Sequence, residues 1–103
     1  MTVLTSEKEF YELIHSPIAL VLFKTYGCSV CHAVGDQLDQ RLVAYPDLPY
    51  ASIYADDFPK LRGEHMIFTA PVVLLFVNGK EVFRSAQFID FSKLMNTLDI
   101  YFS

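Results

Sequence analysis

The sequence predicts an α/β fold in which a mixed sheet of four to five strands carries helices on both faces. Two uninterrupted apolar runs of strand length, at 18–23 and 72–77, indicate strands that are buried on both sides. Helical segments alternate with the predicted strands, an order typical of parallel strands joined by right-handed crossovers. With 103 residues, we expect a single domain over residues 1–103 with a core of its own.

The first helix is predicted from a capping signal. Ser6 and Glu9 have the spacing of a capping box, so the helix is expected to begin at Thr5 or Ser6. It is expected to end before Pro17, because the residue that precedes a proline disfavours helical geometry.

A second helix is predicted from Cys28 to about Ala44, since apolar residues recur at helical spacing along one side of this segment. A short strand at Val3–Leu4 is left open, because periodicity does not decide it.

The remaining elements lie between turn and breaker residues. They are a strand at 50–55, a short helix between Asp57 and Gly63, the strand 72–77, a type I′ turn at Asn78-Gly79, an antiparallel strand at 80–85 and a final helix from about Phe91.

Charge and hydropathy exclude several classes of partner. The formal net charge is −4 and no run of Lys or Arg occurs, which argues against nucleic acid or an anionic membrane surface. The longest apolar runs are too short to span a bilayer, and the first residues lack the pattern of a secretory signal. We therefore expect a cytoplasmic protein. As separate expectations, the protein is a monomer or weak dimer and needs no cofactor.

The two cysteines, Cys28 and Cys31, are the candidate reactive groups. Cys28 follows a buried strand and opens a helix, so backbone N–H groups and the positive end of the helix dipole face its sulfur. This environment is expected to lower the thiol pKa below the free value of about 8.5. Cys31 lies one turn further on the same side and should be more buried. An exposed nucleophile beside a concealed resolving thiol is what two-step disulfide exchange requires.

Three other interpretations of the pair stay open. The pattern Cys-x-x-Cys followed by His32 also matches c-type haem attachment. Zinc bound by Cys28, Cys31 and His32 would lack a fourth ligand, because no second ligand pair of suitable spacing follows. Two inert buried cysteines are the third interpretation. We favour the redox pair, with no metal, because of the position of Cys28 at a helix start.

The order of motifs resembles the thioredoxin family over nearly the whole chain. The matching elements are a buried strand, an aromatic-x-Cys-x-x-Cys segment, an amphipathic helix, Thr69-Ala70-Pro71 before the second buried strand, and an Asn78-Gly79-Lys80 hairpin. The resemblance implies a thioredoxin fold and a thiol–disulfide oxidoreductase that acts on protein disulfides in cell redox homeostasis. It implies that Cys28 attacks, that Cys31 resolves, and that a separate reductase recharges the pair.

The resemblance also implies a substrate groove. Pro71 is expected to be preceded by a cis bond and to pack beside the cysteines, and the Ala70 backbone is expected to pair with an extended substrate segment. Tyr26, Val30 and Phe88 would add an apolar rim for peptide docking. For Tyr26, a loop aromatic packed on the rim is an equally weighted interpretation.

The sequence departs from the thioredoxin pattern around the pair. Gly27 replaces the usual Trp, Ser29-Val30 replaces Gly-Pro, and His32 stands where Lys is usual. Two interpretations of His32 stay open: it adds positive charge near the sulfurs, or it is a solvated residue of the first helical turn.

Beneath the pair, Leu22 aligns with a buried Asp of the family and Ser52 with its accompanying Lys. Cys31 would then lack a nearby general base, so we expect a slower second step. Because these family residues are replaced, an alternative function stays open: a binding module with the same fold and little redox turnover.

Overall fold

The computed structural model describes all residues from 1 to 103 and contains a mixed five-stranded sheet with four α-helices. The sheet order is β1-β3-β2-β4-β5; β1, β3 and β2 are parallel, and β4 runs antiparallel to β2 and β5. The strands are β1 Thr2–Val3, β2 Ile18–Lys24, β3 Tyr50–Tyr54, β4 Val72–Val77 and β5 Lys80–Ala86. The helices are α1 Glu7–Ile14, α2 Ser29–Arg41, α3 Pro59–Glu64 and α4 Phe91–Phe102, with short 3₁₀ turns at Leu42–Ala44 and Ala55–Asp57. The predicted fold class is confirmed.

The strand β2 forms the centre of the fold because both of its faces are buried. Val21 and Phe23 pack with the helices α1 and α3, where Phe10 meets Phe23 edge-on at 5.9 Å between ring centroids. Leu20 and Leu22 point to the opposite face and pack with α2 and α4. A continuous apolar run is therefore what a strand between two helical layers requires.

The helices α1 and α2 begin one or two residues later than the sequence predicts, because Ser6 and Cys28 cap them from outside. The N–H of Glu9 donates to the Ser6 side chain at 3.1 Å, as a capping box requires. The Glu9 carboxylate reaches back to the N–H of Thr5 at 3.2 Å, so the reciprocal bond is shifted by one position. Cys28 caps α2 from outside the helix, and the helix gives way to a 3₁₀ turn after Arg41.

The β4–β5 hairpin turns through two residues with left-handed backbone. Asn78 has φ 51° and Gly79 has φ 80°, the geometry of the predicted type I′ turn. None of the helices is long and apolar enough to cross a membrane.

Candidate redox site

Cys28 is positioned by the end of the central strand. The chain leaves β2 at Lys24 and turns through Gly27, whose φ of 73° lies in the left-handed region that glycine adopts without cost. Cys28 then caps α2, and its sulfur accepts a hydrogen bond from the N–H of Cys31 at 3.1 Å. The helix start thus directs one backbone donor, the N–H of Cys31, and the positive end of the helix dipole at the Cys28 sulfur, an arrangement that favours negative charge there.

Cys28 and Cys31 are joined by a disulfide, with their Cα atoms 5.2 Å apart. Their exposure is unequal, as the sequence predicts. Cys28 is half-buried, whereas Cys31 is only 2% exposed. Only one of the two sulfurs is therefore open to a large partner.

A groove of about 270 Å³ opens on the Cys28 side of the pair. The bond between Ala70 and Pro71 is cis, as the resemblance implies. Val30 and Phe88 are strongly exposed, at 53% and 92%, so the walls are largely apolar. The groove is lined by Cys28, Val30, Ala70, Pro71, Gln87 and Phe88.

Tyr26 lies outside this groove, in a separate cleft of about 360 Å³ that shares only Cys28 with it. The Tyr26 ring stacks on Tyr54 with centroids 4.1 Å apart. Its backbone N–H donates to Asp56 at 2.9 Å, and its hydroxyl donates to Asp57 at 2.5 Å. The hydrogen bond to Asp57 raises the pKa of Tyr26 to about 12. The structure thus brings Val30, Ala70 and Pro71 together beside Cys28 and leaves Tyr26 apart from them.

His32 extends away from the helix start. Its side chain is 84% exposed, and its Nε2 lies 3.6 Å from the Asp36 carboxylate one turn later. No group of three or more His, Cys, Asp or Glu side chains converges as metal ligands would.

Comparisons with known proteins agree on one family, although no protein-family model matches the chain. The chain is 43% identical over 72 residues to a thioredoxin-like protein, YdfQ of Bacillus subtilis (strain 168), over 70% of this chain and 64% of YdfQ. It is 30% identical over 80 residues to thioredoxin of Griffithsia pacifica, covering 77% of this chain and 73% of that protein. The chain belongs to the thioredoxin family.

The fold itself matches solved thioredoxins closely. The structure of Plasmodium falciparum thioredoxin superposes with a TM-score of 0.84, over 98% of this chain and 99% of that one, at 20% sequence identity. Family membership and the joined cysteine pair together support thiol–disulfide oxidoreductase chemistry. The match spans only 64% of the length of YdfQ.

Behind Cys31, the site departs from the thioredoxin pattern as the sequence indicates. Leu22 and Ser52 are partners in the β2–β3 pairing and are each 1% exposed. They border a small cavity of about 150 Å³ that also reaches Cys31. Its acidic groups come from α2, where Asp36 and Asp39 line it; the Tyr50 hydroxyl donates to Asp39 at 2.9 Å. The sheet itself offers no carboxylate beneath the resolving cysteine.

Sequence reasoning missed three residues of the site: Lys24, Tyr54 and Gln87. Lys24 and Tyr54 become neighbours through the parallel register of β2 and β3, which local patterns do not specify. Gln87 has a left-handed backbone, with φ 62°, at a position without the Gly or Asn that would signal it. The one sequence signal for Lys24 is its position, since it is a polar residue at the end of an apolar strand just before the cysteines.

Proposed function

We propose that the chain is a protein-disulfide reductase that exchanges disulfides through Cys28 and Cys31. The Cys28 thiolate attacks one sulfur of a substrate disulfide, and the other substrate sulfur leaves as a thiolate that takes a proton from solvent. Cys31, after losing its proton, attacks Cys28 and releases the second substrate thiolate. The substrate disulfide is reduced to two thiols, and the pair is oxidised to the disulfide present in this structure.

The single observation that carries the proposal is the unequal exposure of the two sulfurs beside an open groove. The half-buried Cys28 lines the groove, whereas the 2% exposed Cys31 does not. The exposed apolar side chains of Val30 and Phe88 provide contact area for a peptide, and the backbone of Ala70 is available for pairing. An extended segment that carries a disulfide fits these features better than a small ligand does.

We further propose a cytoplasmic protein, a monomer or weak dimer, that works as one unit over residues 1–103 with a separate reductase. The only cysteines of the chain form the reactive pair, and such pairs in reducing compartments are typically redox-active rather than structural. Alkylation trapping of the pair in intact cells measures its redox state. A pair that is mostly reduced and is oxidised when the cellular reductant is depleted supports this setting; a permanently oxidised pair contradicts it.

A dithiothreitol-driven insulin reduction assay tests the activity. The wild type should accelerate insulin precipitation, and Cys28→Ser should abolish the acceleration, because the attacking sulfur is lost. In a separate reaction, Cys31→Ser that has been reduced, freed of dithiothreitol and then mixed with insulin should accumulate a mixed disulfide on Cys28, which denaturing gels without reductant display. Val43→Ser, an exposed position on the 3₁₀ turn after α2, serves as the matched control and should behave as the wild type. Equal rates for the wild type and Cys28→Ser would overturn the proposal.

The second candidate is a docking module of the same fold without redox turnover. The apolar packing of Leu22 beneath Cys31 favours it, because the second step then lacks a carboxylate base from the sheet. In this case Cys28→Ser would bind the same proteins as the wild type, and neither would reduce insulin.

A further inference from the structure

Lys24 ends the central strand on the face of the sheet that lies beneath Cys31. Side chains of a strand alternate between faces, so Lys24 shares its face with Leu22, which packs in the cluster under α2. Its partner across the β2–β3 register is Tyr54, and the Lys24 ammonium lies 4.5 Å from the centroid of that ring. A cation held on an aromatic face retains its charge with less freedom to move into solvent.

The charge of Lys24 is not neutralised by an ion pair. Five salt bridges are present in the structure, and none includes Lys24, although the residue is only half-exposed. The Tyr54 ring that carries Lys24 is itself fixed by its stacking on Tyr26. A partly buried cation without a carboxylate partner is available to stabilise a negative charge that forms nearby.

Lys24 borders both spaces that reach Cys31. It lines the 360 Å³ cleft together with Cys28 and Cys31, and it lines the 150 Å³ cavity behind Cys31 as well. His32 also lines both spaces, but its side chain is 84% exposed and pairs with Asp36. Lys24 is therefore the one permanent cation that borders the resolving cysteine on both sides.

We infer that Lys24 is the residue whose positive charge favours the thiolate of Cys31 in the second step of exchange. The inference rests on the proposed function, since it concerns the step that releases the substrate. With Cys28 held in a mixed disulfide, the Cys31 thiol gives its proton to solvent, and the resulting thiolate attacks Cys28. The bond between Cys28 and the substrate sulfur breaks, and the substrate leaves as a thiolate.

The other groups that face Cys31 either oppose a thiolate or carry no charge. Asp36 and Asp39 of α2 line the 150 Å³ cavity behind Cys31 (the rear cavity), and their negative charge disfavours a thiolate there. Asp39 accepts a hydrogen bond from the Tyr50 hydroxyl and lies 3.4 Å from the Met1 amine, whereas Asp36 is largely exposed to solvent. In the sheet beneath the cysteine, Leu22 and Ser52 carry no charge. Tyr26 and Tyr54 border the 360 Å³ cleft and bring neither a carboxylate nor an ammonium group to it. Lys24 thus supplies the uncompensated charge.

Titration of the Cys31 thiol tests the inference without any substrate. In reduced Cys28→Ser protein with isotope-labelled cysteine, carbon NMR follows the ionisation of Cys31 alone. Adding Lys24→Gln should raise the Cys31 pKa by about half a unit to one unit, because a favourable charge is removed. Lys24→Arg keeps the charge and should restore the original value. Lys93→Gln, which removes an exposed cation from α4, is the matched control and should leave the pKa unchanged.

Stopped-flow kinetics supply the second readout. Reduced protein mixed with excess dithiobis-nitrobenzoate should release thionitrobenzoate in a bimolecular phase, from attack by Cys28, and then in a unimolecular phase, from attack by Cys31. Lys24→Gln should slow only the second phase, by about two- to fourfold near neutral pH, because the loss of thiolate is partly offset by the greater nucleophilicity of a more basic thiolate.

The two readouts separate the inference from the function on which it rests. An unchanged Cys31 pKa in folded Lys24→Gln, or a failure of Lys24→Arg to restore it, overturns the role of Lys24 whatever the activity. A wild type that releases only one equivalent of thionitrobenzoate per chain overturns the proposed function instead, whatever the titration gives, because Cys31 then never attacks Cys28.

Discussion

Leu22 of β2 lies directly opposite Ser52 of β3, and both side chains are 1% exposed beneath the helix that carries Cys31. Leu22 and Ser52 therefore place one apolar and one small uncharged side chain where a general base for the resolving thiol would stand. In the proposed exchange, the second step would therefore depend on solvent access through the small cavity behind Cys31 and on the charges at its border.

Leu22→Asp should speed the second step, because the new carboxylate would accept the Cys31 proton through the rear cavity. We expect the rate constant of substrate release to rise about tenfold, less than the hundredfold or more typical of general acid–base catalysis, because the carboxylate would act from the cavity behind Cys31. The single-turnover rate of mixed-disulfide release measures it. Leu22→Asn buries a similar polar group without an ionisable proton, so it controls for the loss of packing. Equal rates for the wild type and Leu22→Asp would contradict the prediction.

The fold could be predicted because its strongest signals are local. The apolar runs that became β2 and β4 are buried on both faces, and the Asn78-Gly79 turn requires the left-handed backbone that it adopts. Helix boundaries are predicted less exactly: α1 begins at Glu7, because Ser6 lies outside the helix as its cap and accepts a hydrogen bond from the N–H of Glu9.

The site could be predicted only in part, because it combines segments that lie far apart in the sequence. Position at a helix start marked Cys28 as the reactive sulfur, whereas the resemblance to a family placed Pro71 beside it. The sequence assigns Tyr26 to the groove because Tyr26 lies two residues before Cys28. In the structure, Asp56 and Asp57, which follow β3, bind Tyr26 in another cleft. Strand register and side-chain hydrogen bonds decide such placements, and neither is written in local pattern.

Phe88→Ala should weaken substrate docking and leave the chemistry of the cysteine pair intact. The ring lines the groove and is 92% exposed, so its loss costs the fold little. A phenyl ring that is covered on binding contributes enough apolar area for a change of about tenfold in KM for insulin. The rate of reaction of Cys28 with dithiobis-nitrobenzoate should not change. Ile100→Ala, an exposed apolar position on α4, is the control. A fall in both reactions would place the effect of Phe88 on Cys28 rather than on docking.

His65 should make the protein less stable as the pH falls below neutrality. Burial lowers the pKa of His65, whose ring packs against Phe10 and Phe76 and whose Nε2 has no hydrogen-bond partner. In the unfolded chain a histidine titrates at about 6.5, so below that pH the unfolded state binds more protons than the folded state. The free energy of unfolding should therefore fall as the pH drops from 6.5 through the lower folded pKa.

Urea unfolding at several pH values tests the role of His65. His65→Phe keeps an aromatic ring in contact with Phe10 and removes the titrating group, so its free energy of unfolding should fall less steeply below about pH 6.5. His32→Gln removes a largely exposed imidazole and should retain the wild-type slope. An unaltered slope in His65→Phe would assign the acid sensitivity to other groups.

Gln87→Gly should stabilise the protein, because Gln87 holds a backbone conformation that side chains with a Cβ atom adopt at a cost. Its φ is 62°, and its N–H donates to the Pro71 carbonyl at 2.7 Å, so the conformation is fixed by the groove. Glycine removes the steric cost but gains freedom in the unfolded chain, and the two effects leave a net increase of about 1 kcal/mol in the free energy of unfolding. Urea titration measures it, with Gln87→Ala as the control that keeps the Cβ atom. If Gln87→Ala gained as much stability as Gln87→Gly, the cost would arise from the glutamine side chain rather than from the backbone.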